Sequence, residues 1–297
     1  MGNNGNKTIK GVICTISGAV CWGFSGACGQ FLFQNYGLNS KWLTVMRMVF
    51  SGIIMCTLMI IKEKKEFFNI WKNKRDSIQL LLFSIIGLML CQYTYLTAIS
   101  YTNAGTATVL QYTGPVFIMI YVCIMSLRLP TKREILAIVM AVSGTFILAT
   151  HGNINSLVIS KEGLFWGIAS AVTMFLYTLL PSRIIPKYGT IKIIGYGMLI
   201  GGVFLGLISK VWSIDVSLDF VGFIMVSLIT VVGTIIAFSL YLHGISLIGP
   251  VKGSMIASVE PVSAALFSVL WLKSSFMFID FIGFVFIMTT VFILSKK

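Results

Sequence analysis

The sequence predicts an all-α integral membrane protein with ten transmembrane helices, arranged as two inverted five-helix repeats. Three observations support this prediction: an apolar composition, a weak internal repeat and an uneven distribution of basic residues. Of the 297 residues, 57% are hydrophobic and 10% are charged, and the mean hydropathy is +0.94. An ordinary soluble domain of this length would carry much more charge.

The apolar segments have the length of membrane-spanning helices. A helix needs about 20 apolar residues to cross a bilayer, and lipid offers no partners to exposed backbone groups. The sequence also lacks the alternating short strands of a membrane barrel. Almost nothing remains for a soluble domain. The ten predicted spans are 11–33, 41–61, 77–99, 103–126, 132–150, 162–184, 190–209, 219–241, 249–272 and 276–295.

An internal repeat relates the two halves of the chain. Residues 95–148 match residues 241–294 at a displacement of 146 positions, with 10 identities and no gap. The identities are spread over three successive apolar segments. A membrane protein built from two copies of one unit is typical of secondary transporters, whose site lies between the copies near mid-membrane. The predicted five-helix units are residues 1–150 and 151–297.

The basic residues predict the orientation of the helices. Sixteen of the 22 Lys and Arg residues lie before span one, after span ten, or in the two–three, four–five and six–seven connections. The positive-inside rule therefore places both termini in the cytoplasm, and five spans per unit then invert the second unit. The +13 net charge could alternatively indicate a nucleic-acid-binding surface. The sequence, however, lacks both a folded basic domain and the aromatic residues that would stack on bases. The four cations at the opposite end are Lys41, Lys161, Lys210 and Lys273.

Two prolines occupy matching positions in the repeat. Pro115 and Pro261 each lie about twelve residues into their spans, or about 18 Å deep at 1.5 Å per residue. Because the two spans enter from opposite faces, the prolines are expected to meet near the bilayer centre. A single transmembrane proline is ordinarily a tolerated kink. As a matched pair, these two are predicted hinge points.

Two ionisable residues inside spans are functional candidates, because charge within a membrane is costly. Glu260 is the deepest, and its counterpart in the first unit is Gly114. Its candidate roles are proton coupling, a counter-charge for an amine, or a buried ion pair. Arg47 is a candidate partner for that pair, or alternatively extends to the outer interface. Glu134 and Asp280 begin matching helices, where an acid favours the helix dipole.

Polar and aromatic side chains recur at helical spacing in both units. Thr108, Gln111 and Tyr112 share a face of span four, and Ser254 and Ser258 form the matching face of span nine. With aromatic residues of the neighbouring spans, they would line an amphipathic cavity for a small solute. The predicted solute-binding residues are Trp22, Tyr95, Gln111, Tyr112, Tyr177, Tyr241, Ser258 and Glu260.

No motif in the sequence indicates a cofactor or a metal site. All six cysteines lie in apolar segments without Cys-x-x-Cys spacing or a histidine partner. Span seven contains Gly197-x-x-x-Gly201 and Gly202-x-x-x-Gly206, a pattern that favours close helix packing within a monomer or between the subunits of a homodimer. The expected partners are therefore a small solute, the lipid bilayer and, as a candidate coupling ion, the proton, with no nucleic acid.

Several stretches of the chain resemble a known family. They are Trp22-Gly23, "RMVFSG" beginning at Arg47, "YLTAISYTNAGTATVLQYTGPVF" and "YLHGISLIGPVKGSMIASVEPVSAALFSVL". With them the chain resembles the EamA-type carriers of the drug/metabolite transporter superfamily over essentially its whole length. The resemblance implies a ten-helix inverted-repeat fold and a central cavity lined by helices one, three, four, six, eight and nine. It also implies the transport of amino acids, other metabolites or drugs, often outward.

The chain departs from that family at one feature. Many members carry Gly-Glu shortly after spans four and nine, where this chain has Arg128 and Ser274 at the acidic positions. The departure concerns contacts at the two membrane edges and leaves the expected fold unchanged.

An intramembrane serine protease is the competing class. Gly23-Phe24-Ser25-Gly26 resembles the Gly-x-Ser-Gly of rhomboid-like enzymes, which pair the serine with a histidine. Only His151 and His243 are available. His243 is predicted at the cytoplasmic end of span eight, and His151 in the outer loop after span five, nearer to Ser25 in depth but in no helix. Catalysis would require a hydrogen bond of about 3 Å between nucleophile and base. We therefore do not expect an enzyme.

The sequence as a whole predicts a secondary transporter in the cytoplasmic membrane. It would carry small organic metabolites, such as amino acids or amines, by alternating access, with export as the expected direction. An uptake carrier of the same superfamily for a different solute is the alternative.

Overall fold

The computed structural model describes residues 2–153 and 157–295, apart from the side chains of 2–6, 250, 251, 254 and 295. Lys296 and Lys297, the basic residues that follow predicted span ten, lie outside the described residues, as does the side chain of Ser254. Within the described residues the chain is helical apart from short connections, and no strand is found. The principal helices are α1 (Gly2–Tyr36), α2 (Ser40–Glu63), α3 (Lys74–Tyr101), α4 (Ala104–Met125), α5 (Lys132–Thr150), α6 (Lys161–Leu179), α7 (Thr190–Ile208), α8 (Phe220–Ile248), α9 (residues 250–270) and α10 (Phe278–Ser295).

Eight of these helices, α1 to α8, are long and apolar enough to cross a membrane, counted over the residues that the structure describes. The α9 and α10 helices are also apolar but shorter, with apolar stretches at Met255–Leu270 and Phe278–Leu294. The prediction of an all-helical membrane protein is thus confirmed.

Most predicted spans begin and end within a few residues of the observed helices. The α1 helix begins earlier, at Gly2 rather than 11, and the larger differences at the C-terminal ends of two helices have local causes. The α6 helix stops at Leu179 rather than 184, because Pro181 lacks an N–H and its ring obstructs the preceding turn. The α8 helix continues to Ile248 instead of 241, and ends where Gly249 adopts a φ of +85°.

Irregular turns occur at matching places in the two units. Residues 83–89 of α3 and 231–236 of α8 form π-helical turns, and a displacement of 146 places the first on residues 229–235. The α4 helix is interrupted at Tyr112 and Thr113, and α9 is interrupted at Ser258. The same displacement places Tyr112 on Ser258. The two units therefore share interruptions of the helical backbone as well as sequence.

The last helix of each unit begins with the same acidic cap. Glu134 in α5 and Asp280 in α10 each accept a hydrogen bond from the backbone N–H three residues earlier, at 2.7 Å and 2.8 Å. The other carboxylate oxygen of Glu134 binds Arg128 at 2.7 Å, and that of Asp280 binds His151 at 2.7 Å. Both acids therefore satisfy backbone donors at a helix N-terminus, as their sequence positions predicted.

The glycines of α7 pack inside the subunit. A Cβ on Gly201 would lie 2.6 Å from the Ser84 carbonyl oxygen, and one on Gly202 would lie 2.8 Å from Met48 Cβ. These glycines allow α7 to approach α2 and α3 closely. Because this face is occupied within the chain, it is not available to a second copy, and the glycine pattern does not support a homodimer.

The α1 helix occupies the centre of the molecule, where it packs against α3, α4, α8 and α9. Gly18 and Gly23 permit this packing, since a Cβ at these positions would lie 2.9 Å from Ala237 O and 2.7 Å from Ala264 N. The interrupted regions of α4, α8 and α9 are therefore gathered around one helix.

Candidate functional site

The interruptions in α4 and α9 expose backbone groups that an unbroken helix would pair internally. Pro115 is the second residue of the half-helix Gly114–Met125, and Pro261 is the third residue of Val259–Leu270. A proline is tolerated in the first turn of a helix, where its missing N–H would lack an intrahelical partner anyway. Both predicted hinge prolines thus lie directly after an interruption.

Tyr112 connects the two interrupted helices. Its Oη lies 3.0 Å from the Ala257 carbonyl oxygen, at the end of the first half of α9, and 3.0 Å from Glu260 Oε2 in the second half. The single hydroxyl hydrogen is therefore shared between two acceptors on either side of the interruption. Tyr112 is buried, so solvent does not compete readily for these bonds.

Glu260 is surrounded by most of the predicted site residues. Its carboxylate lies deep among the helices, yet the residue is only half-buried, which indicates that it faces internal space. It occupies the first turn of Val259–Leu270, where the helix dipole favours a negative charge. Within its electrostatic range lie Arg47, Tyr95, Tyr112, Tyr177 and Tyr241.

Aromatic rings form one wall near this carboxylate. Trp22 packs against Tyr241 and Phe238, with ring centroids 4.9 Å and 5.1 Å apart. Tyr177 lies beside Phe83 at 5.9 Å. Trp22, Tyr177 and Tyr241 are each half-buried, so their rings keep accessible surface for an aromatic or aliphatic ligand group.

Three further predicted residues are buried. Tyr95 Oη pairs with Thr108 Oγ1 at 2.8 Å, which links α3 to the first half of α4. The Gln111 amide lies 3.8 Å from Cys91 Sγ, a weak hydrogen bond. Ser258 Oγ is buried at the α9 interruption and has no hydrogen-bond partner among the described residues. Ser258 is therefore the one predicted polar group at the interruptions whose hydrogen-bonding capacity is unused.

Arg47 binds α8, not Glu260. Its Nε donates to Thr234 Oγ1 at 3.0 Å and its Nη2 donates to the Gly233 carbonyl oxygen at 3.2 Å. Both acceptors lie in the π-helical turn 231–236, whose widened backbone offers such a carbonyl. Within the described residues Arg47 and Glu260 form no ion pair at 4.0 Å or less. Arg47 is only 4% exposed, so it does not extend to the interface either.

Gln30 forms a contact that the sequence analysis missed. Its Nε2 donates to Ser274 Oγ at 2.8 Å, and its Oε1 accepts from Ala104 N at 2.9 Å and from Ser268 Oγ at 2.9 Å. We call this arrangement the Gln30 clasp. It joins the C-terminal part of α1, the start of α4 and the end of α9. An uncharged amide inside an apolar span was the available signal.

Ser25, the nucleophile of the protease hypothesis, contacts α8. Its Oγ is buried without a hydrogen-bond partner among the described residues, and its side chain packs directly on Gly233. His151 instead binds Asp280, and His243 is exposed. The fold therefore brings Ser25 to a glycine and not to a catalytic base.

Comparisons with known proteins agree on one family. Residues 9–150 and 161–296 each match the model of the EamA-like transporter family. An uncharacterized inner membrane transporter, YicL of Salmonella typhimurium, is 39% identical over 293 residues, which cover 97% of this chain and 96% of the relative. An uncharacterized transporter, YetK of Bacillus subtilis, is 25% identical over 85% of this chain and 77% of its own length.

The fold is also similar to that of a solved structure. A protein crystal structure with 15% sequence identity superposes with a TM-score of 0.62, covering 97% of this chain and 96% of that chain. At this identity the likeness extends to the fold alone.

Proposed function

Because this chain belongs to the EamA-like transporter family, we propose that it is a secondary transporter of small organic metabolites in the cytoplasmic membrane. It works by alternating access and exports amino acids, amines or related compounds. The observation that supports this most is the shared hydrogen bond of Tyr112, which joins the interruptions of α4 and α9 beside a half-buried carboxylate.

The matched irregularities support an inverted arrangement of two five-helix units, with α9 and α10 also crossing the membrane. A displacement of 146 residues relates the interruption of α4 to that of α9, and it places the π-helical turn of α3 within two residues of the turn in α8. With the basic residues on the cytoplasmic side, both termini are cytoplasmic. The starts of α4 and α2 and the end of α9 then face outward.

The packing supports a conformation that is closed on the outer side. A Cβ on Gly105, near the start of α4, would lie 2.9 Å from Ala265 Cα in the second half of α9. The Gln30 clasp lies at the same end. Alternating access requires these outer half-helices to separate, and the interruptions at Tyr112 and Ser258 let each half-helix tilt without disturbing the other.

The charges of the site favour a solute that carries an amine. Arg47 is engaged by the α8 turn, so Glu260 remains as the negative charge that faces internal space. The rings of Trp22, Tyr177 and Tyr241 offer aromatic surfaces that attract cations. This combination disfavours polyanions, which would need a cluster of free cations.

Glu260 is also the candidate proton-coupling group. In an alternating-access cycle its surroundings differ between inward-open and outward-open states, so its proton affinity differs as well. The loss and gain of a proton by this carboxyl would then accompany solute movement.

A thermal-shift screen of the purified protein against amino acids, amines and other metabolites would identify candidate solutes. Proteoliposomes would then measure export or uptake of each hit, with and without a proton gradient. We expect stabilisation by an amine-bearing solute and transport that follows the gradient. Net uptake would instead support the alternative carrier, and stabilisation only by polyanions would contradict the proposed site.

A further inference from the structure

The connection between α2 and α3 forms a basic surface, residues 62–75, which we call the 62–75 platform. Its central part, Lys64–Lys72, is a 3₁₀-helix. Six exposed cations point from it, and no ion pair to any of them is found among the described residues. These cations are Lys62, Lys64, Lys65, Lys72, Lys74 and Arg75.

The platform is held firmly against α7. The ring of Phe67 stacks on Tyr196 with centroids 4.4 Å apart, and Phe67 is only 2% exposed. Tyr196 Oη donates to the Phe67 carbonyl oxygen at 3.2 Å, and Ile70 is fully buried. The cations therefore project from a fixed surface and not from a free loop.

The acids nearest to the platform are neutralised by lysines from elsewhere in the chain. Glu63 pairs with Lys192, and Asp76 pairs with Lys187. Hydrogen bonding to the Asp76 carboxylate raises the pKa of Lys187, so this pair stays charged. Because these acids are occupied, only Glu66 is left to offset the six platform cations.

Apolar side chains lie beside the cations. Phe68 and Trp71 are 52% and 41% exposed, and Ile61, where α2 enters the platform, is 69% exposed. The exposed apolar surface continues along α2 through Leu58 and Ile54. Exposed aromatics and lysines together at the end of a spanning helix are typical of the headgroup layer of a membrane.

We propose that the 62–75 platform binds anionic phospholipid headgroups of the surrounding membrane. Lysine and arginine side chains would contact lipid phosphates, while Phe68 and Trp71 would lie among the headgroups and upper acyl chains. The continuity with the apolar surface of α2 favours lipid over a nucleic acid or an acidic protein. Binding depends on membrane insertion and not on the identity of the transported solute.

Native mass spectrometry of the purified full-length protein tests this proposal. The protein is equilibrated in mixed micelles with phosphatidylglycerol or with phosphatidylcholine, and retained lipids are counted. We expect the wild type to retain phosphatidylglycerol preferentially, and to lose that preference at high salt. The variant K64Q/K65Q/K72Q should retain phosphatidylglycerol about a hundredfold more weakly, since each of the three lost cations contributes about fivefold near an anionic surface.

A matched variant removes the same charge from the opposite end of the molecule. K41Q/K161Q/K273Q should keep the wild-type preference, because these exposed lysines lie outside the platform. Equal loss in both triple variants would overturn the proposal in favour of a general charge effect. Equal retention of both lipids by the wild type, or unchanged retention by K64Q/K65Q/K72Q, would also overturn it. Transport is measured separately, so failure of the lipid proposal is distinct from failure of the proposed function.

Discussion

Tyr112 Oη lies 3.0 Å from Glu260 Oε2, across the two interrupted helices that the internal repeat relates. The same hydroxyl lies 3.0 Å from the Ala257 carbonyl oxygen, an acceptor for which the residue four positions later, Pro261, has no N–H to donate. The repeat places Tyr112 opposite Ser258 and Gly114 opposite Glu260. The donor therefore comes from one unit and the carboxylate from the other, and the contact exists only because the units have diverged.

Tyr112→Phe should weaken the connection between α4 and α9. The substitution keeps the ring but leaves the buried Ala257 carbonyl oxygen and the half-buried Glu260 carboxylate without their donor, which costs about 1–3 kcal/mol. We expect a lower thermal-unfolding midpoint and slower transport in proteoliposomes, with normal membrane insertion. Tyr121→Phe is the matched control, since Tyr121 lies further along α4 and packs its ring on Phe175. If the two variants have the same unfolding midpoint and transport rate, the Tyr112 hydroxyl has no role in the mechanism.

Glu260→Gln should separate the charge of this side chain from its shape. A glutamine oxygen still accepts the Tyr112 hydrogen bond, so we expect normal insertion and thermal stability. Because the titratable charge is lost, we expect the variant to lose either transport driven by a proton gradient or the pH dependence of transport. The measurement is solute flux in proteoliposomes over a pH series. Glu162→Gln, at an exposed position in the first turn of α6, provides the control. Wild-type flux and pH response in the Glu260 variant would exclude a coupling role.

Arg47→Met should destabilise the protein by removing the contacts of the guanidinium with α8. Loss of two charge-assisted hydrogen bonds to the α8 turn costs about 3 kcal/mol or more. A double-mutant cycle with Glu260→Gln should give a coupling energy below roughly 1 kcal/mol, because the two side chains do not touch. A direct buried ion pair predicts strong coupling instead, since removing one partner costs about 3–5 kcal/mol. Thermal unfolding of the four proteins distinguishes these accounts.

The sequence predicts the helices well because hydropathy and helix length are local properties. The span 132–150 coincides with the observed α5, and Pro181 and Gly249 account for the differences at the ends of α6 and α8. The repeat also located the interruptions of α4 and α9 to within three residues of Pro115 and Pro261. These features can be predicted without knowing which helices are neighbours.

The partners of polar side chains are harder to predict, because they depend on helix rotation and on irregular turns. From the sequence, Glu260 was a candidate ion-pair partner of Arg47, because both residues are charged and lie within spans. The Arg47 guanidinium instead donates a hydrogen bond to the Gly233 carbonyl oxygen. Gly233 lies in a π-helical turn, which no sequence pattern predicted. Gln30 was overlooked for a similar reason: its three partners lie on segments far apart in the chain.

Gln30→Leu should open the outer side of the transporter. The leucine fills a similar volume but breaks all three hydrogen bonds of the clasp, leaving the Ala104 N–H and two serine hydroxyls without this partner. We therefore expect the equilibrium to shift toward an outward-open state. A Thr106→Cys reporter in a variant without the native cysteines measures this shift, because Thr106 is 6% exposed near the start of α4.

Faster labelling of that reporter by a membrane-impermeant maleimide is the expected result in Gln30→Leu. Gln34→Leu is the matched control: Gln34 lies one turn further along α1 and is exposed, so its loss should leave the labelling rate unchanged. Equal labelling rates in the wild type and Gln30→Leu would mean that packing of Gly105 against Ala265 closes the outer side without help from the clasp. In that case a bulkier residue at Gly105, not at Gln30, would be the change that opens it, because its Cβ would displace Ala265.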